Sequence, residues 1–457
     1  MRFRLWIIVG LALVSVAGVA QAQGFKAGVA KVAITPREPM WMAGYSARNR
    51  PSEGVEHDLW AKSLVIDDGQ GQRVVLVTLD ICGIDRALSV AIRDRLQEKY
   101  GFDRAHVALA CSHTHSGPVV GTNLITMYPL DEEQYRRVAN YAKQLEGWVV
   151  ESVGKAIDAL GPVELAQDIG RCGTFAFNRR NNDQGKVPEL REKVALAGPD
   201  DHDVPVLRVR AEGGKPSAIV FGLACHCTTL DYYKFCGDYA GFAQADLERE
   251  HENTIALFFA GCGADQNPLP RGTVEHAKQY GADLARSVNT VTAQHMRPVT
   301  GPIQAIYREI DLDFAPLPDR AEWERLAKSD NRYEAERAKF LLKRIEKEGK
   351  LSQAYPYPIQ IWRFGDSLNW VFLGGEVVVD YAHRLKRNLG SGKTWVTAYA
   401  NDVMAYIPSL RVLKEGGYEG GGAMVYYAQP GPWSERVEEQ IAEAVSTMMR
   451  KLGSSGP

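Results

Sequence analysis

Short runs that are apolar at nearly every position constrain this chain most. Val74 to Leu79, Ala218 to Ala224 and Ile255 to Ala260 are such runs. A strand with one face in water alternates apolar and polar residues, so an unbroken run predicts a strand covered on both faces. Further strand-like runs occur at Ser63 to Asp67, His106 to Cys111, Val206 to Val209, Ile303 to Ile310, Ile359 to Phe364, Asn369 to Leu373 and Trp395 to Tyr399. Helical patterns lie between them. Leu88, Ile92 and Leu96 recur every four residues, as do Val437, Ile441 and Val445, and Ala321 to Gly349 reads as a long charged helix or a helical pair. This interspersion predicts a mixed α/β fold.

The N-terminus reads as a secretory signal. Arg2 and Arg4 precede the apolar stretch Leu5 to Ala20, and Ala20-Gln21-Ala22 offers small residues for cleavage. The expectation is a signal peptide over residues 1–22, a secreted or periplasmic product, and one domain over 23–457. Gly416 to Gly422 then falls in a loop inside that domain. A formal net charge of -2 supplies no basic surplus for nucleic acid. Seven cysteines are an odd number, so at least one stays unpaired within an oxidised chain. Cys225-His226-Cys227 lacks the paired spacing of structural zinc sites and reads as buried thiols flanking a histidine.

The sharpest local signal is Ser112-His113-Thr114-His115-Ser116-Gly117-Pro118, directly after an apolar run. Histidines at i and i+2 on a strand end point the same way, so two imidazoles converge on one ion or substrate. His226 follows another apolar run, and Glu376 follows Leu373-Gly374-Gly375. Taken singly, each has an ordinary alternative. His226 suits an interior hydrogen bond, Glu376 a helix N-terminus, and Tyr406 and Tyr418 plain packing.

Together these residues resemble the catalytic domain of the neutral ceramidases, a family of secreted zinc amidases. The similarity rests on the Ser-His-Thr-His-Ser-Gly-Pro motif, on His226, on Asn178-Arg179, on Gly375-Glu376, and on Tyr406-Ile407 with Tyr418-Glu419 twelve residues later. The resemblance implies a zinc ion (Zn2+) held by His113, His226, Glu376 and Tyr406, with His115, Arg179 and Tyr418 around a reacting carbonyl. It also implies two β-sheets face to face, flanked by helices, with the metal at the strand ends. An amidohydrolase barrel also uses an early His-x-His, but it needs an eightfold strand-helix alternation that the irregular spacing here does not supply.

Two departures qualify the carry-over. The family's Gly-Asp-x-Ser-Pro segment is here Gly263-Ala264-Asp265-Gln266-Asn267-Pro268, which puts Asn267 at the serine. An amide is no nucleophile but can donate to an oxyanion, so attack falls to zinc-activated water. Asp265 either supports the site or ends a turn before Pro268-Leu269-Pro270. The second departure is that the chain stops at Pro457, without the β-sandwich domain that follows in full-length family members. The expected activity is cleavage of an N-acyl amide bond in a small-molecule or lipid substrate, with peripheral membrane contact. The alternatives are an amidase or esterase for an N-acyl sugar or amino acid, and a zinc-holding binding protein without turnover. The sequence leaves the oligomeric state open.

Overall fold

The computed structural model describes residues 24–211 and 216–454; the signal-like segment 1–22 lies outside the described residues. The larger sheet contains β1 (Lys26–Ala33), β2 (Trp60–Asp67), β3 (Arg73–Leu79), β4 (Val107–Cys111), β5 (Gly161–Arg171), β6 (Asp203–Ala211), β7 (Pro216–Leu223) and β8 (Ile255–Ala260). Their order is β8-β7-β6-β5-β1-β2-β3-β4, and the two-residue strand Arg297–Pro298 also pairs with β5. The outermost pairs, β7 with β8 and β3 with β4, are parallel, whereas every pair between them is antiparallel. The smaller sheet runs β9 (Ile303–Asp313), β10 (Ala354–Phe364), β11 (Leu368–Leu373), β12 (Thr394–Thr397), with its last pair parallel.

The two sheets pack face to face, as the family resemblance implies. Along β3, Val74 and Leu76 join the layer between the sheets, while Val75, Val77 and Leu79 join the cluster beneath the helices. Along β8, Leu257 and Phe259 point to the first layer and Ala256, Phe258 and Ala260 to the second. Side chains alternate across a strand, so a strand between two apolar layers is apolar throughout. That is why these runs are legible.

Helices close both outer faces. They are α1 (Arg86–Tyr100), α2 (Glu132–Asp158), α3 (Asp238–Glu250), α4 (Val274–Thr292), α5 (Arg320–Leu326), α6 (Arg332–Glu348), α7 (Val379–Leu389) and α8 (Val437–Ser454). α2 lies on β1 and β2, α3 on β8, α7 on β12, and α8 on β9 and β10. α1 starts at Asp85, whose side chain accepts from the Leu88 N–H, and ends at Gly101, whose φ of 77° needs no Cβ. The charged stretch after Ala321 is a helical pair, α5 and α6, rather than one helix. No helix of the described residues is long and apolar enough to cross a membrane.

The layer between the sheets is densely aromatic. Trp370 sits 5.1 Å from Trp395 and 5.3 Å from Phe259, centroid to centroid, and Trp362 sits 4.7 Å from Phe372. Its polar tips are mostly satisfied: Trp370 Nε1 donates to Thr397 Oγ1 and Trp362 Nε1 to the Ala105 carbonyl, both at 2.8 Å. At one end of this layer the sheets join. The Asn401 N–H donates to the Leu109 carbonyl at 2.7 Å and the Cys111 N–H to the Tyr399 carbonyl at 3.2 Å. The carboxyl ends of β4 and β12 are thereby held together.

Candidate functional site

Segments leaving strand ends build the site. His113 follows β4, and His226 follows β7 by three residues. Glu376 follows β11 through Gly374 and Gly375, and Glu376–Val377 pairs in parallel with Tyr406–Ile407. Gly375 has a φ of 75°, and a Cβ there would lie 2.7 Å from the Ala405 carbonyl oxygen. Only glycine fits this approach. His113 itself is left-handed, at φ 60°, as is Tyr399 at φ 53°, and their rings stack at 4.3 Å. The two histidines of the His-x-His motif do converge, with Nε2 atoms 3.1 Å apart. They do so through this left-handed turn rather than through strand alternation, because β4 ends at Cys111.

His113 Nε2 and His226 Nε2 each lie 3.1 Å from Glu376 Oε2, and His226 Nε2 lies 3.3 Å from the Tyr406 hydroxyl. All four residues are buried. The far ring nitrogens settle the tautomers: His113 Nδ1 donates to the Cys82 carbonyl at 2.6 Å and His226 Nδ1 to the Gly263 carbonyl at 2.8 Å. A neutral imidazole that donates from Nδ1 carries a lone pair on Nε2. Two such lone pairs therefore face one carboxylate oxygen, and Glu376 Oε2 has no hydrogen-bond donor. The other oxygen, Oε1, accepts from the Tyr427 hydroxyl.

Facing acceptors repel unless a cation lies between them. Donors on a tetrahedral ion at about 2.1 Å stand roughly 3.4 Å apart, close to the three separations seen here. The donor set, its spacing and the backbone carbonyls orienting both rings fit a metal. Among the described residues, His113, His226 and Glu376 form one compact group of potential ligands and Cys82, His113 and His115 another. The second is the poorer candidate, since the His113 nitrogen nearest the Cys82 thiol, at 3.6 Å, is already a donor to the Cys82 carbonyl. Cys225 and Cys227 are buried free thiols beside His226, and the other five cysteines are free and buried too.

A cavity of about 550 Å³ opens next to this centre, lined in part by His115, Arg179, Asn267, Tyr406 and Tyr418. His115 rests on Gly44, where φ is 101° and a Cβ would fall 2.2 Å from the imidazole Cγ. Arg179 is clamped on three sides. Its Nε donates to Glu419 at 2.7 Å, Nη1 to Asn267 Oδ1 at 3.2 Å and Nη2 to the Tyr406 hydroxyl at 3.1 Å. Tyr418 is 41% exposed and its ring lies 5.2 Å from that of Tyr406, on the wall of the cavity.

Asp265 ties three of these elements together. It accepts from the Val379 N–H at the start of α7 at 2.9 Å and from Asn178 Nδ2 at 3.1 Å, and its carbonyl accepts from the Arg179 N–H at 2.8 Å. Burial pushes its carboxyl up to about 7 against the pull of the Val379 N–H. It thus supports the site instead of merely ending a turn. Tyr427, Tyr399 and the role of Glu419 were not singled out from sequence. Tyr427 lies far along the chain from Glu376, with no motif around it, and only the folded chain brings them together.

The sequence model for "Neutral/alkaline non-lysosomal ceramidase, N-terminal" matches residues 25–313. Neutral ceramidase B of Dictyostelium discoideum is 26% identical over 244 residues, which cover 50% of this chain and 33% of that protein. The neutral ceramidase of Pseudomonas aeruginosa is 24% identical over 317 residues, 65% of this chain and 46% of that protein. This chain therefore spans between a third and a half of the length of these curated relatives. In three dimensions it is similar to the crystal structure of the neutral ceramidase from Pseudomonas aeruginosa, with a TM-score of 0.70 at 22% identity, over 92% of this chain and 73% of that one. A ceramidase complexed with C2 superposes with a TM-score of 0.68 at 18% identity, over 91% of this chain and 73% of that one. These two likenesses establish the shared fold. Since the sequence match extends over well more than half of the residues, the chain belongs to the neutral/alkaline non-lysosomal ceramidase family.

Proposed function

We propose that this protein is a zinc-dependent hydrolase that cleaves an N-acyl amide bond, with His113, His226, Glu376 and Tyr406 holding the metal. One observation carries the reading: two imidazole lone pairs and a donor-free carboxylate oxygen face one another in a buried centre beside an open cavity. Zinc bound there would supply Lewis acidity, lowering the pKa of a bound water to about 7 and polarising a carbonyl. Family membership and the name of its relatives point to a ceramide-like amide.

The chain's own groups then divide the work. A guanidinium has five N–H donors and Arg179 uses three of them on Glu419, Asn267 and Tyr406. The rest face a substrate carbonyl and stabilise the oxyanion. Glu419 keeps the guanidinium charged and still. His115 lines the cavity with its Nε2 3.1 Å from His113 Nε2, and is the ring assigned to pass a proton to the leaving amine. Tyr418 orients the substrate from the wall. Asn267 accepts from Arg179, and its Nδ2 lies 3.4 Å from Gln184 Oε1, so it positions the arginine and makes no attack. In the overall step, water oxygen bonds to the acyl carbon, the C–N bond breaks, and the amine departs with the proton.

The test couples elemental analysis with turnover. Purified protein should contain about one zinc per chain and hydrolyse a short-chain N-acyl amide. Arg179→Ala should lower kcat while leaving zinc content unchanged. Full zinc occupancy with no turnover of any amide or ester would leave only the binding-protein reading. Export is proposed on the N-terminal segment, with cleavage after Ala22; N-terminal sequencing of secreted or periplasmic protein should begin at Gln23.

A further inference from the structure

A second cavity of about 340 Å³ adjoins the first, and Tyr45, Thr228 and Arg271 line both. It is walled by groups that lack what they need. Arg48 is buried, with its guanidinium 5.3 Å from the Tyr45 ring; it donates to the carbonyls of Tyr232 and His115 at 2.9 and 2.8 Å. Arg48 Nε has no partner, and no carboxylate pairs with its charge among the described residues. Thr228 Oγ1 is likewise buried without a partner, whereas the Thr229 hydroxyl faces the buried carboxylate of Asp238. Arg271, exposed at the junction of the cavities, makes no hydrogen bond or ion pair among the described residues.

Charge at the two cavities is unevenly matched. Arg179 and Arg180 in the first are answered by Glu419 and Glu415. In the second, Asp231 is the acidic residue on the wall with Arg48 and Arg271, and the Asp238 carboxylate behind Thr229 is already taken up by the N–H groups of Thr229, Leu230 and Tyr239. A buried guanidinium without an anion is costly, and the unpartnered Thr228 hydroxyl on the same wall is a donor without an acceptor. Arg48 also holds the carbonyl of His115, so this pocket borders the residue assigned to protonate the leaving amine.

We infer that the second cavity is a subsite for an anionic group, a carboxylate on the amine half of the N-acyl substrate, with Arg271 as its principal ligand and Thr228 as a hydroxyl donor. This rests on the hydrolase reading and departs from a ceramide-like substrate, whose amine half is neutral, toward acidic N-acyl amides. Arg271 is the gatekeeper, since an arginine fork grips a carboxylate by two parallel bonds.

The test is a matched series: N-hexanoyl derivatives of glycine, β-alanine and γ-aminobutyrate, the corresponding neutral amino alcohols, and N-hexanoyl-phosphoethanolamine. A charged hydrogen bond of this kind should favour the best acid over its neutral partner by about ten- to a hundredfold in kcat/KM. Arg271→Gln, at an exposed position, should collapse that ratio, mainly through KM. A phosphomonoester that outperforms the acids would keep the anion subsite and reassign its ligand. A ratio near one, or a ratio that Arg271→Gln leaves unchanged, would overturn the subsite while the hydrolase reading stands. Calorimetry with N-hexanoyl-β-alanine separates the two claims. Binding that is lost in Arg271→Gln, without turnover of any amide, would sink the hydrolase and keep the subsite. Neither binding nor turnover would sink both.

Discussion

Two buried regions meet where the sheets join, and burial acts on their stability in opposite directions. Between the sheets, Trp362, Trp370, Phe372, Trp395 and Phe259 remove apolar surface from water, and each ring stabilises the fold by its burial and its contacts. At the strand ends, His113, His226 and Glu376 are as deeply buried, yet each offers a lone pair to the others. Such a cluster costs free energy until a cation satisfies it. The apolar layer holds the frame rigid enough to keep the acceptors facing one another. The polar centre is destabilising by itself and is retained for what it binds.

The contrast predicts which property each substitution strikes. Glu376→Gln removes the negative ligand and should lower amide hydrolysis by on the order of 10⁴-fold, about 5 kcal/mol of transition-state stabilisation. Because it also relieves unpaired charge, the metal-free variant should melt no lower than the metal-free wild type; a large fall in melting temperature would break the comparison. Trp370→Ala strikes the frame instead, and should cost about 3–5 kcal/mol in urea unfolding, while protein that remains folded still binds zinc.

A third experiment uses a buried carboxyl near the junction. Asp402 accepts from the Tyr355 hydroxyl at 2.6 Å, and burial pushes its carboxyl up to about 7 from the ordinary 3.8. A raised folded pKa means the stabilising contribution is complete below the unfolded value and is lost as pH rises through about 7. Wild type should therefore lose more stability than Asp402→Asn between pH 5 and pH 8, by about 2–3 kcal/mol. Equal slopes in urea unfolding would show that Asp402 is ionised throughout. The smallest effect is expected from Tyr427→Phe, which removes the hydroxyl donating to Glu376 Oε1. Zinc affinity should drop by about 10- to 100-fold, measured by competition with a chelator, with little change in the urea midpoint.

The strands that sequence reveals are those with two apolar neighbours. β3, β7 and β8 are legible because both faces are covered, whereas β1 and β5 carry lysine, glutamate and aspartate at partly exposed positions and show no comparable run. The site is legible in the same uneven way. His113, His115 and Glu376 stand beside strand ends and glycines and can be read locally. Tyr427 and the carbonyls of Cys82 and Gly263 cannot, because a carbonyl has no sequence signature and a tyrosine among tyrosines is not marked. Asp265 shows the middle case. Its place in the Gly263-to-Pro268 segment is visible, but its bonds to Asn178 and Val379 exist only after three segments have met.

Sequence by itself determined the alternation of buried strands with helices, and the residue types able to ligate, since periodicity and side-chain chemistry are local properties. Tertiary structure alone decided that Nδ1 of both ligand histidines is tied to a carbonyl, that Glu376 Oε2 is left without a donor, and that Arg48 is buried without an anion. The reason is physical: an unmet hydrogen bond or charge is a relation between atoms distant along the chain, and it arises only when folding excludes the water that would have met it.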